Sequence, residues 1–243
     1  MTAPDPVRST LRRLILASFS ASLIAVLGGI LSALYYTDSY TTLQSVGLTL
    51  QHLRPIHETF GSAWIFLGGV TVVFHYLFTA YPDRARSLAR TANWILLLWG
   101  IAGAGTLAAF LSGRFTGKEY MNHPPILSIP IGIGWILFAW GFFSRTRLRL
   151  GQAPAYVYMW TVGILLFIVT FLEGHLWLVE WISRRPLRDL AIQWKSYGPL
   201  VGSFNLLAYG SAMYIGERIS GNPAYARSPL AFALFYVGIL NSF

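Results

Sequence analysis

IHETFGSAWIFLGGVTVVFHYLFTA, residues Ile56 to Ala80, carries one carboxylate near its start and no lysine or arginine. As an α-helix rising 1.5 Å per residue it is about 37 Å long, enough to cross a hydrocarbon core of about 30 Å. Similar apolar runs lie on both sides of it, at Leu14 to Tyr36, Trp94 to Leu111, Ile126 to Phe143, Tyr156 to Trp181, Pro199 to Ile215 and Pro229 to Phe243. With 55% hydrophobic and only 11% charged residues, the chain has too little charge to cover a soluble globule of 243 residues. The expected fold is all-α: a polytopic membrane helical bundle of about seven transmembrane helices. Residues 1–13 form a short N-terminal segment, and residues 14–243 a single transmembrane helical domain.

The first run follows Arg12 and Arg13, as a signal peptide's core does, but it is longer than such a core and leads into a bundle. It reads as a retained first helix. The last run is short and reaches Phe243 without a polar cap, as expected of a truncated product or a partial sequence. With no cysteine, thiolate metal sites, disulfides and iron–sulfur ligation are excluded.

The net charge of +9 sits in short segments between apolar runs, which speaks for membrane topology and against nucleic acid as a partner. The N-terminal side carries Arg8, Arg12, Arg13, Arg84, Arg86, Arg90, Arg145, Arg147, Arg149, Arg218 and Arg227. The opposite side carries Arg54, Arg114, Lys118, Arg184, Arg185, Arg188 and Lys195. The positive-inside rule then places the N-terminus in the cytoplasm, most simply at a bacterial inner membrane, with an unusually basic outer segment from Arg184 to Lys195. Tyr35, Tyr36, Tyr81, Trp94, Tyr156, Tyr158, Trp177 and Trp181 fall near span ends, where amphipathic rings anchor in the headgroup layer.

This topology gathers four of the five histidines at the outer level. His57 opens the second span, His52 lies in the loop before it, His123 precedes the fourth span, and His175 is near the outer end of the fifth. Imidazole is costly in a bilayer unless it is paired or ligates something, so a shared depth points to a site. Haem iron, held by imidazoles from facing helices, is the leading candidate ligand, with His57 as its first residue. Gly61, Trp64 and Gly68 share the helical face of His57; the glycines there permit close approach either of a flat macrocycle or of another helix. His75 lies toward the cytoplasmic half with no second histidine at its depth and is expected to be hydrogen-bonded. Glu173, in an apolar span, requires a proton or a cation, while Glu58, Glu119, Glu180 and Asp189 read as a solvated rim or a metal site.

Leu53-Arg54-Pro55-Ile56-His57 opening a glycine-containing span resembles the start of the second helix of subunit I of the haem-copper oxidase superfamily, its nitric oxide reductase branch especially. Glu58-Thr59 depart from that family's usual threonine and asparagine. Gly117-Lys118-Glu119-Tyr120, followed by Pro124, resembles the segment before the fourth helix. Asp189, Gln193-Trp194 and Val201-Gly202 resemble the segment around the first non-haem metal histidine. The resemblance runs from about His52 to Arg218.

It implies that His57 is an axial ligand of a low-spin haem b, that Arg54 pairs with a propionate, and that Glu119 binds a calcium beside it. It also implies a loss: Gly198 stands at the place of the metal-binding histidine, and neither Tyr197 nor Pro199 replaces it. The family's later ligands lie beyond the length of this chain. Without the second metal's ligands the chain is not expected to reduce dioxygen or nitric oxide alone, and no catalytic residue is assigned. His175 is the expected second axial ligand, with His123 as the fallback.

The resulting expectation is a membrane-embedded, haem-binding electron-transfer subunit of a respiratory-type complex, exchanging electrons with a cytochrome or quinone and assembled with other membrane or cytochrome subunits. Two readings compete with it: a haem-free structural or anchoring subunit, and a proton or solute transporter using Glu173. Transport calls for paired discontinuous helices, and only Pro130 with Gly132 and Gly134 suggests such a break.

Overall fold

A computed structural model of the protein describes residues 5–37, 40–146 and 152–242, and among these the chain is helical with no strand. Arg147, Arg149 and Phe243 lie outside the described residues. Among the described residues nine α-helices follow one another: α1 (Asp5–Ala33), α2 (Tyr40–Ser45), α3 (Leu50–Ala80), α4 (Ala85–Leu111), α5 (Pro125–Phe143), α6 (Ala155–Glu173), α7 (Glu180–Ser183), α8 (Pro186–Ser220) and α9 (Pro229–Leu240).

Five segments are long and apolar enough to cross a membrane: Pro6–Tyr36, Leu50–Ala80, Pro82–Leu111, Pro125–Phe143 and Ala155–Leu178. Large apolar side chains stand exposed along them, including Phe19, Leu23 and Ile30 on α1, Leu97 and Ile101 on α4, and Ile129, Ile133 and Ile136 on α5. Surfaces of this kind are stable against lipid and not against water. The chain is an integral membrane protein by this measure.

The remaining two expected spans take another form. The sixth is the interior of α8, a 35-residue helix about 52 Å long that runs through Pro199 without a break. Its first turns carry Arg188, Asp189 and Lys195, so the segment read as a basic outer loop is largely helix, and α8 is not among the five segments apolar enough to cross, its uncharged part being diluted by Asn205 and by serine, glycine and tyrosine. The seventh is α9, whose 12 residues amount to about 18 Å.

Two compact units share the chain, residues 1–68 with 89–135 and residues 69–88 with 136–243; α3, α4 and α5 each contribute to both. In the first unit, α1 lies along the opening half of α3. Ala21 and Ala25 meet Ile56 and Phe60, and Phe110 of α4 closes the cluster. Ser18 Oγ donates to the Trp64 carbonyl at 3.2 Å. Trp99 of α4 stacks on Trp135 of α5 and donates its indole N–H to the Ile131 carbonyl, and a Cβ at Gly134 would collide with that indole. Far from breaking α5, Pro130 and Gly134 sit inside a continuous helix, the glycine seating a tryptophan.

In the second unit α6 pairs with α8 by small-residue contact, the usual device where lipid supplies no hydrophobic drive between helices. Ser203 Oγ donates to the Gly163 carbonyl at 2.7 Å, and a Cβ at Gly163 would lie 2.9 Å from the Ser203 carbonyl oxygen. Where α3 meets this pair, Tyr76, Tyr156, Trp160 and Tyr214 touch one another, ring centroids 5.0 to 6.0 Å apart. Aromatic pairs so placed add roughly 0.5–1.5 kcal/mol each beyond the area they bury. Helix α9 rests Phe232 and Phe235 on Tyr158.

Gly163→Val should therefore destabilise the protein by about 1–3 kcal/mol through overpacking, whereas Ser203→Ala should cost only about 0.6 kcal/mol for one interhelical hydrogen bond. Thermal unfolding in detergent checks the order, which reverses if the pair is held by the hydroxyl instead of by close backbone approach.

Candidate functional site

The histidines at the expected outer level differ in ways that their positions in the sequence conceal. Helix α3 begins at Leu50, so His52 and Arg54 are helical, and Pro55 falls in the helix's second turn. His57 projects one edge toward α1, where its Nδ1 lies 2.9 Å from the carbonyl oxygen of Ala25. A carbonyl only accepts, so Nδ1 carries the hydrogen and, in the neutral ring, Nε2 carries the lone pair. His57 as a whole is exposed although it stands in an apolar span.

That arrangement depends on Gly28 and Gly29 of α1. A Cβ at Gly29 would lie 2.8 Å from His57 Nδ1, and one at Gly28 would lie 3.2 Å from the His57 backbone nitrogen. The glycine pair was not singled out in the sequence, though two adjacent glycines in an apolar run are a signal for close helix approach. By contrast, the face carrying Gly61 and Gly68 is taken by α1 itself: those positions look onto Ala25 Cβ at 4.0 Å and Ser18 Oγ at 3.5 Å. Of the two readings of these glycines, helix packing is the one the structure supports.

His52 has the opposite tautomer. Its Nδ1 receives the backbone N–H of Thr49 at 3.2 Å, which places the hydrogen of the neutral ring on Nε2, and its ring meets Phe115 edge-on. His123 is buried, with Nε2 2.9 Å from Ser128 Oγ at the start of α5. His175 stands two residues past the end of α6, in a turn with φ −99° and ψ 0°, and not inside the helix as expected. Gly174 loosens the chain there, and Nδ1 of His175 reaches back to the Phe171 carbonyl at 2.6 Å, so its neutral ring also carries the Nε2 lone pair. His57 and His175 belong to different compact units. His75 is hydrogen-bonded, its Nδ1 lying 3.0 Å from the Tyr214 hydroxyl.

Around His57 the charges are paired. Arg54 donates Nε to Glu58 Oε1 at 2.6 Å, one helical turn away. Glu119 lies near enough to act electrostatically on Arg54, and with Glu58 on Tyr120. The turn holding Glu119 is built by left-handed Gly117 and Tyr120 (φ 76° and 60°) and by the Thr116 side chain, which donates to the Met121 carbonyl. Burial pushes the Tyr120 phenol up, and the Glu119 and Glu58 carboxylates push it the same way. Glu173 has the cation its position requires, Lys195 Nζ at 3.4 Å. Among the described residues no three His, Asp or Glu side chains converge to hold a metal ion, and Glu119 gathers no such set for calcium.

A Cβ at Gly198 would lie 3.1 Å from the Ser242 carbonyl oxygen, a tight contact, and one at Gly202 would lie 2.0 Å from the Ser242 hydroxyl. No protein-family model, curated protein or solved structure matches the chain. Any reading of its chemistry therefore rests on its own geometry, in which the His57 ring is held by the Ala25 carbonyl on an exposed residue.

Gly29→Ala should push the His57 ring off the Ala25 carbonyl and free Nδ1 to lose its hydrogen. Nitrogen NMR of histidine-labelled protein should show one ring passing from the Nδ1–H tautomer to a mixture, and an unchanged spectrum would show that Gly29 does not set it.

Proposed function

We propose that this chain is a membrane-embedded, haem-binding electron-transfer subunit of a respiratory-type complex, resembling a catalytically incomplete subunit I of the haem-copper oxidase superfamily. The observation that carries the reading is the His57 imidazole, oriented by Ala25 through Nδ1 on a residue that is exposed within an apolar span. A ligating histidine typically has its second nitrogen held by a backbone carbonyl, which fixes the tautomer and raises the basicity of the ligating atom.

The proposed group is one haem b. His57 would give it one nitrogen, and His175, whose Nδ1 is likewise held by a backbone carbonyl, is the proposed second ligand. His123 suits that role less, because Ser128 engages its Nε2 inside the core. Arg54 spends only Nε on Glu58, and its terminal nitrogens suit a propionate. When bound, the haem supplies a one-electron couple; the chain's part is to hold it, keep water from it with apolar walls, and balance its carboxylates.

With glycine at position 198, the proposed role is electron transfer to or from a cytochrome or quinone. The proposed setting is a bacterial inner membrane with the N-terminus cytoplasmic, following the eleven to seven division of the 18 basic residues.

His57→Ala should abolish haem binding in membrane-inserted protein. His175→Ala should turn a six-coordinate low-spin haem into a five-coordinate high-spin one that binds carbon monoxide, and His123→Ala should leave the spectrum nearly unchanged. Absorption spectra of the three purified variants decide, and an unaltered haem content in His57→Ala would refute the proposal.

A further inference from the structure

Beyond the end of the fifth candidate span at Leu178, the chain turns through α7 into the first turn of α8, within the second compact unit. There two guanidinium groups converge on one indole. Arg188 Cζ lies 3.6 Å above the ring centroid of Trp181, in full stacking contact, and Arg185 Cζ lies 5.4 Å from the same ring. The two cations are thus no more than about 9 Å apart and repel each other, which the face of one tryptophan only partly offsets.

Among the described residues neither arginine has a carboxylate partner, although both other exposed cations in this segment do. Arg184 is paired with Glu180, and Lys195 with Glu173. Arg188 Nη1 is in addition buried without a hydrogen-bond partner. An unsatisfied buried guanidinium nitrogen is costly, and beside a second arginine it calls for an anion. Asp189 follows Arg188 in the chain, so with Arg185 and Arg188 the local balance is still positive.

The surroundings specify which anion. Leu187, Leu190 and Trp194 recur along one face of α8 and are 85%, 63% and 81% exposed, and Trp181 is 60% exposed. Charged heads beside an exposed apolar stripe, directly after a membrane span, match the boundary between phosphate and acyl chain. A soluble anion would have no use for the stripe.

We infer that Arg185 and Arg188, stacked on Trp181, form a site for the phosphate of an anionic phospholipid, whose acyl chains lie along Leu187, Leu190 and Trp194. The arginine fork donates to the phosphate oxygens in bidentate fashion, and the indole beneath Arg188 helps hold the guanidinium in place. The site gives the basic Arg184–Lys195 segment a purpose on a side of the membrane where the positive-inside rule expects few cations. It stands apart from the haem proposal.

The full chain, reconstituted in vesicles of equal phosphatidylglycerol and phosphatidylcholine and released into native mass spectrometry, tests this. Wild-type protein should retain phosphatidylglycerol preferentially. Arg185→Gln with Arg188→Gln should lower that preference about thirtyfold, roughly fivefold for each arginine near a charged surface. Arg86→Gln with Arg90→Gln should leave it unchanged. Excess inorganic phosphate should not displace the lipid from wild-type protein, a comparison that needs no variant to fold. Equal retention of the two lipids by wild type, displacement by phosphate alone, or an equal loss in the Arg86, Arg90 control would each overturn the inference.

Discussion

Hydrocarbon offers no hydrogen bonds, so each polar group carried into it has to find its partner inside the chain. The helices of this protein are placed by that requirement as much as by packing. Ser18 reaches the Trp64 carbonyl, Ser203 the Gly163 carbonyl, and Nδ1 of His57 the Ala25 carbonyl. The contacts at Gly163 and His57 are within reach only because a glycine removes the Cβ that would hold the helices apart, Gly163 in one case and Gly29 in the other. Glycine is the cheapest means of bringing two backbones together in lipid, and here the same means orients the His57 ring.

Much of this was legible in the sequence. Five of the seven apolar runs are helices long and apolar enough to cross a membrane, because an uninterrupted apolar run of that length has few other stable states. His57 was identifiable as an imidazole exposed to an apolar setting. What escaped was everything that depends on a partner element. Gly61 and Gly68 share a face with His57, but only the position of α1 decides that they pack a helix. Helix α8 keeps its hydrogen-bond ladder through the charged residues 188–195, which read as a loop when hydropathy alone set the boundaries. His175 sits in a turn because α6 ends at Glu173, a stop with no strong sequence mark beyond Gly174.

The four outer histidines show the same limit at the scale of single atoms. They are equivalent in a hydropathy plot and distinct in hydrogen bonding: His57 and His175 give Nδ1–H to carbonyls, His52 accepts at Nδ1, and His123 is tied to Ser128 within the core. A tautomer is set by a neighbour's carbonyl or amide, which one-dimensional reading does not reach.

The most direct test of the central claim is the reduced-minus-oxidised absorption spectrum of the purified wild-type chain, with haem extracted and quantified against protein. The account predicts one haem b per chain with the sharp reduced bands of paired imidazole ligation. Protein that folds and inserts but carries no haem, even after expression with ample haem supply, would contradict it and leave a helical scaffold whose role is assembly.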